Sequence, residues 1–171
     1  MITPDYCLTM ARYNAWQNRQ LREIFETLDR TTLEEQRGAF FGSILGTANH
    51  LLWGDRIWMS RFGVGEAPGV GLGASTGLTG SGGAWAVERF RTDGRLLLWA
   101  EQLRSVDLVG NITWYSGAAE RWVSKPRSVL IAHMFNHQTH HRGQIHAMLT
   151  AAGVTAPLTD LFLMPEGSPW L

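Results

Sequence analysis

Cysteine, lysine and long apolar runs are nearly missing from these 171 residues. Cys7 is the single cysteine, so no disulfide can form within the chain, and it reads as a small buried residue rather than a nucleophile. Lys125 is the single lysine; the other bases are arginines, and fifteen acids balance fifteen bases to a formal net charge of zero. That balance gives no basic stripe of the kind a nucleic-acid backbone rewards, and no nucleic-acid partner is expected. No stretch approaches the run of about 18 apolar residues that a membrane span needs. The opening Met-Ile-Thr-Pro-Asp-Tyr has no basic segment leading into an apolar one, as a secretory signal would. A cytoplasmic location without a membrane partner is the expectation.

Histidine and tryptophan are what the chain has. Five of the six histidines fall between His133 and His146, and the sixth, His50, stands alone in an earlier segment. His137 and His141 are four residues apart, which on an α-helix makes them neighbours on one face, about 5–6 Å apart at Cβ. Two imidazoles so placed can grip one divalent metal ion, and a third ligand from another helix would leave a position open for water or substrate. A polar network or a surface patch is the competing reading of the pair. For His50 alone, a neutral ring bonded to a carbonyl competes with metal ligation. At about 100° per residue from His137, His141 lies near +40°, His133 near −40°, His140 near −60° and His146 near 180°. His133 is therefore a possible ligand or ligand partner, His140 a pocket-edge residue, and His146 structural or exposed. Gln138 stands where a His-Glu-x-x-His protease would carry its general base, which argues against that chemistry.

The hydrophobic pattern predicts four long helices. Thr3-Pro4 starts the first, over about 4–29, and Asp29-Arg30-Thr31-Thr32 breaks it. Ser43 caps the second, which carries His50 and, as a solvated residue, Asp55. The third runs from Ala84 to about Ser105, with Trp85, Phe90, Leu97 and Leu98 on its apolar side. Pro126 suits the first turn of the fourth, whose stripe is Leu130, Met134, His137, His141, Ile145 and Met148, with Gly153 as its stop. The two histidines thus sit on the apolar side, where imidazoles need partners or a metal. Residues 110–123 read as a small hairpin around a glycine-containing turn, and the proline-bearing tail from Pro157 as irregular. Residues 63–83 hold nine glycines and read as a flexible or irregular connection. Gly69-Val70-Gly71-Leu72-Gly73 lacks the Gly-Lys-Ser/Thr ending of a phosphate loop. Trp16, Trp53, Trp58, Trp85 and Trp99 read as core, with one or two placed to line a pocket. One all-α domain spanning 1–171, a four-helix bundle with a small hairpin before its last long helix, is the expected architecture.

Three blocks carry a family resemblance. Tyr13-Asn14-Ala15-Trp16-Gln17-Asn18, the segment Asn49-His50-Leu51-Leu52-Trp53-Gly54-Asp55 with Trp58, and His133-Met134-Phe135-Asn136-His137-Gln138-Thr139-His140-His141-Arg142-Gly143-Gln144 together resemble the DinB family, with Asp160-Leu161-Phe162 matching a segment near the end of many members. That family is related to YfiT-type metal-dependent hydrolases and to bacterial thiol transferases. The resemblance implies a four-helix bundle with a three-histidine site for a divalent metal, zinc or nickel. Its ligands, carried over by position, are His50, His137 and His141. It also implies a small-molecule substrate, in some relatives a low-molecular-weight thiol, and a homodimer. Arg142 is expected as a peripheral ion-pair residue, and Gly143 as a point of close helix packing. Three functions compete: a metal-dependent hydrolase or thiol-dependent transferase, a non-catalytic metal-binding stress-response protein, and a bundle whose histidines serve packing and dimerisation.

Overall fold

In the computed structural model, which describes residues 1–167 and 169–171, four of the five described α-helices begin where short polar side chains accept their first free N–H groups. Thr3 accepts from the Tyr6 amide ahead of α1 (Pro4–Thr27), and Ser43 from the Gly46 amide ahead of α3 (Ile44–Arg61). Ser81 accepts from the Ala84 amide, so α4 (Gly82–Gln102) starts two residues earlier than its apolar pattern suggests. The break expected at Asp29 is also a beginning. Asp29 accepts from the Thr32 amide and caps the short α2 (Arg30–Glu34).

The hairpin is present. β1 (Asn111–Ser116) pairs antiparallel with β2 (Arg121–Pro126), Trp114 opposite Val123. Pro126 ends β2 in extended conformation, and α5 (Arg127–Ala151) starts one residue later than expected. Gly153 ends α5 with φ of 73°, and the Val154 amide returns to the Leu149 carbonyl at 3.0 Å.

Two apolar clusters, one toward each end of the bundle, make up the core. The first takes Cys7, Ala11 and Ala15 from α1, Trp58 and Met59 from α3, Leu96, Leu97 and Ala100 from α4, and Leu130, Ile131, Met134 and Phe135 from α5. The second takes Leu21 and Phe25, then Ile44, Leu45, Ala48 and Leu52, then Trp85, then Ile145, Met148 and Leu149. The order in which each helix meets the clusters gives its direction: α1 and α5 run one way, α3 and α4 the other. Consecutive α3 and α4 are therefore parallel, and the chain between them must travel back along the bundle. The glycine-rich stretch is that crossover.

Between the clusters each of the four long helices contributes buried polar groups. Arg89 is 0% exposed and ion-paired to Asp55 at 2.6 Å and to Asp93 at 2.7 Å. The Asn14 and Asn18 amides donate to Asp93, and the Gln138 amide to Asp55 at 2.9 Å. Arg142 donates to the Asn14 carbonyl oxygen and lies over the Tyr13 ring. Two cations and two carboxylates thus balance within one buried layer.

This layer corrects several expectations. Asp55 is fully buried rather than solvated, and Arg142 is interior rather than peripheral. Phe90 and Leu98 are 46% and 58% exposed, because Arg89 and Asp93 take the inward positions an apolar-only reading assigns to neighbours. A Cβ on Gly143 would meet nothing within 4 Å among the described residues, so no close packing with them depends on it. No described helix is long and apolar enough to cross a membrane.

Candidate metal centre

The three histidines meet at the edge of the polar layer. His50 from α3 and His137 and His141 from α5 present ligand atoms that all lie within 4.8 Å of one another. His50 and His141 are buried and His137 half-buried. The antiparallel packing of α3 on α5 makes the meeting possible, and Gly54 makes it close: a Cβ there would stand 2.7 Å from His137 Cε1. Glycine inside a helix costs about 1 kcal/mol against alanine. Its place one turn after His50 is the sequence signal for such an approach.

Each outer nitrogen shows how its ring is held. His141 Nδ1 donates to Gln144 Oε1 at 2.8 Å, while the Gln144 amide faces His140 Nε2 at 3.3 Å. That fixes the His141 proton on Nδ1 and leaves its Nε2 a lone pair. His50 Nδ1 is 3.0 Å from the buried Ser75 hydroxyl, and its ring is stacked on Phe41 at 3.7 Å and on Trp53 at 5.9 Å between centroids. His50 Nε2 then faces His137 Nε2 at 3.3 Å. His137 Nδ1 is buried with no hydrogen-bond partner among the described residues.

Burial, reinforced by the neighbouring imidazoles, holds all three rings neutral. It lowers His50 to about 4 and His137 to about 3, and lowers His141 as well, against the pull of its Gln144 hydrogen bond. Neutral imidazole is the form that ligates metal. Two nitrogens each about 2.0–2.1 Å from one tetrahedral ion stand about 3.3–3.4 Å apart, which matches the His50–His137 separation. The donor set fits a divalent ion.

Ser75 belongs to the crossover, which is more ordered than its glycines suggest. A 3₁₀ turn over Leu72–Gly77 packs on α3. The Asn49 amide donates to the Thr76 and Thr79 carbonyls, Thr79 donates back to Asn49 Oδ1, and the Trp53 indole donates to the Val70 carbonyl. Asn49 thereby sets Ser75 behind the His50 ring. Sequence reasoning missed Ser75, Phe41 and the role of Gly54. Gln144, three residues after His141, reads from the sequence as a residue that could pair with Arg142 or line the site, and it is within reach of His141 by helix geometry.

His133 lies outside the converging trio, on the wall of a cavity with its ring edge against Trp58, 5.1 Å between centroids. His140 is exposed and packs edge-on against His141, 4.7 Å between ring centroids. His146 is half-buried on the far side of α5, beside Tyr13 and Arg142. The cavity, of about 670 Å³, opens onto His50 and His137 and is walled by Trp53, Trp58 and the hairpin.

A four-helix bundle with three histidines converging beneath an open cavity is the class of protein these features define. The profile of the DinB family matches residues 1–170, and the chain belongs to that family. Protein DinB of Bacillus subtilis (strain 168) is 27% identical over 162 residues, 91% of each chain. Among solved structures, a DinB-like protein from Bacillus cereus ATCC 10987 superposes with a TM-score of 0.64 at 17% identity, covering 84% of this chain and 90% of the other. YfiT from Bacillus subtilis, described as a probable metal-dependent hydrolase with an unusual four-helix bundle topology, gives 0.67 at 13% identity, covering 91% and 92%. At those identities the two structures speak to the fold.

Proposed function

We propose that His50, His137 and His141 hold one divalent metal ion, zinc or nickel, and that the chain is an enzyme hydrolysing or transferring a small molecule bound in the adjoining cavity. The observation that carries this reading is the convergence of three neutral imidazoles on a point that a substrate-sized cavity reaches. The description of YfiT as a probable metal-dependent hydrolase supports it. A bound divalent ion supplies Lewis acidity, which lowers the pKa of a water or thiol at its open position. The protein's own residues do the rest. Ser75 and Gln144 orient two of the rings, and the aromatic walls restrict water. His133 is kept below its usual pKa by partial burial and by the charge of Arg61, so it is neutral and able to accept a proton from the nucleophile.

A low-molecular-weight thiol is one candidate nucleophile, and it would have to come from outside. Cys7 is buried in the core, and burial pushes its thiol up to about 11. A non-catalytic metal-binding role in stress response calls for a closed site, and the open cavity speaks against it.

Elemental analysis of untagged protein tests the metal assignment. About one divalent ion per chain is expected from a single three-histidine site, lost in His50→Ala and in the His137→Ala/His141→Ala double variant. Metal retained by the double variant would sink the assignment. His133→Ala should keep its metal and lose turnover in a screen of ester, amide and thiol-transfer substrates.

A further inference from the structure

The wall of the cavity carries an uneven charge. Three bases line it, Arg61, Arg121 and Lys125, and among the described residues no acid does, in a chain whose acids and bases are equal in number. The hairpin makes this arrangement by register. Ser116 stands opposite Arg121, Trp114 opposite Val123 and Ile112 opposite Lys125, so these six share one face, and five of them line the cavity. In a hairpin with one solvated face, bases belong outside and apolar residues inside. Here the outer face carries Tyr115 and Trp122, 55% and 71% exposed, while two bases face the cavity.

Arg61 completes the set from the end of α3. Its guanidinium lies 4.5 Å from the Trp58 ring and 5.3 Å from the Trp114 ring, and it forms no ion pair among the described residues. Arg121 and Lys125 likewise have no carboxylate partner among those residues. Stacking on aromatic faces fixes the plane of a guanidinium while leaving its N–H edge free for an anion. Apart from Ser116 and the three histidines that line the cavity, the remainder of the wall is apolar, with Trp53 and Ile57 from α3 and Val129 and Leu130 from α5.

Resting on the reading of this cavity as a substrate site, we propose that its substrate is a small organic anion: a carboxylate, sulfonate or phosphate carried on an aromatic body. The anion meets Arg61, Arg121 and Lys125, and the ring system lies against the tryptophans with its far end toward His50 and His137. The three bases would then select the substrate by charge, and the tryptophans by shape.

Fluorescence titration with 8-anilinonaphthalene-1-sulfonate and with N-phenyl-1-naphthylamine, the same ring system without the charge, tests this on metal-free and metal-loaded protein. The sulfonate should bind at least about tenfold more tightly than the neutral probe, with an affinity that falls as salt is raised. The Arg121→Met/Lys125→Met variant, altered only on the exposed hairpin, should bring the two affinities together by weakening the sulfonate alone. Arg61→Met should act in the same direction, and Arg91→Met, remote from the cavity, should leave both affinities unchanged. Equal binding of the two probes, or sulfonate binding unchanged in the double variant, would overturn the proposal. The outcome is separable from the metal assignment. Anion preference without metal binding would leave this inference standing and remove the metal, and metal binding without anion preference would do the reverse.

Discussion

At the scale of single residues, the site depends on side chains that never touch the proposed metal. Gly54 leaves room for the His137 ring, and any Cβ there pushes on Cε1 from 2.7 Å. Gly54→Ala should therefore separate two effects that are usually confounded. Alanine improves the helix by up to about 1 kcal/mol, while the displaced ring weakens metal binding by at least about tenfold. Thermal melting of the metal-free variant should show no loss, and a chelator-competition titration should show the weakened site. Unchanged metal affinity would mean the ring relaxes freely and the close approach is incidental. Ser75→Ala tests the hydroxyl behind His50 in the same way. Removing a hydrogen bond that orients a ligand typically costs 10–100-fold in metal affinity, and about that loss is expected here. The His137–His141 pair was legible in the sequence because an i,i+4 spacing is a property of one helix. Ser75 was not legible: it reaches His50 from 25 residues away through a loop whose conformation depends on Asn49.

At the scale of elements, the buried charges explain both a success and a failure of pattern reading. The apolar stripe of α5 reads correctly because Leu130, Met134, Ile145 and Met148 all lie inward. The stripe of α4 misreads because its inward face includes Arg89 and Asp93, residue types ordinarily assigned to solvent. Burial pushes the Asp93 carboxyl up to about 6 against the opposing pull of Arg89, so the arginine is what keeps this layer ionised. Arg89→Met would leave Asp55 and Asp93 buried without their cation, and breaking a buried pair in this way costs about 3–5 kcal/mol. Urea denaturation should show a loss of that size. A loss under about 1 kcal/mol would mean that the carboxylates simply take up protons and that the layer contributes little to holding the helices in register. The glycine-rich crossover follows from the same geometry. An 18-residue helix such as α3 is about 27 Å long, and a chain that must return along it cannot be a tight turn.

At the scale of the molecule, the histidines couple stability to pH, and the sign follows from their direction of shift. His50 and His137 titrate near 4 and 3 in the fold, against an ordinary value of 6.5. Above pH 6.5 they are neutral in both folded and unfolded chains, and stability is at its full value. As pH falls below 6.5 the unfolded chain takes up protons that the fold refuses, and stability declines until the folded rings themselves protonate. Asp93 works in the opposite sense. Its folded value is raised from 3.8 to about 6, so the stability it contributes is present below 3.8 and is lost as pH rises through about 6. His141 and His133 are lowered too, so four imidazoles oppose one carboxyl and the net slope should favour neutral pH. The urea midpoint of metal-free protein should hold steady from pH 8 to 7 and then fall between about pH 6.5 and 4. Metal changes the size of the effect, not its sign. An ion present at 100 times its dissociation constant adds about 2.7 kcal/mol to the folded state, and acid removes that increment as protons compete for the same nitrogens. The gap between loaded and metal-free midpoints should therefore persist as pH falls from neutral and close only as pH nears the folded values of about 4 and 3. A gap that does not change with pH would place the bound metal on groups other than these three imidazoles.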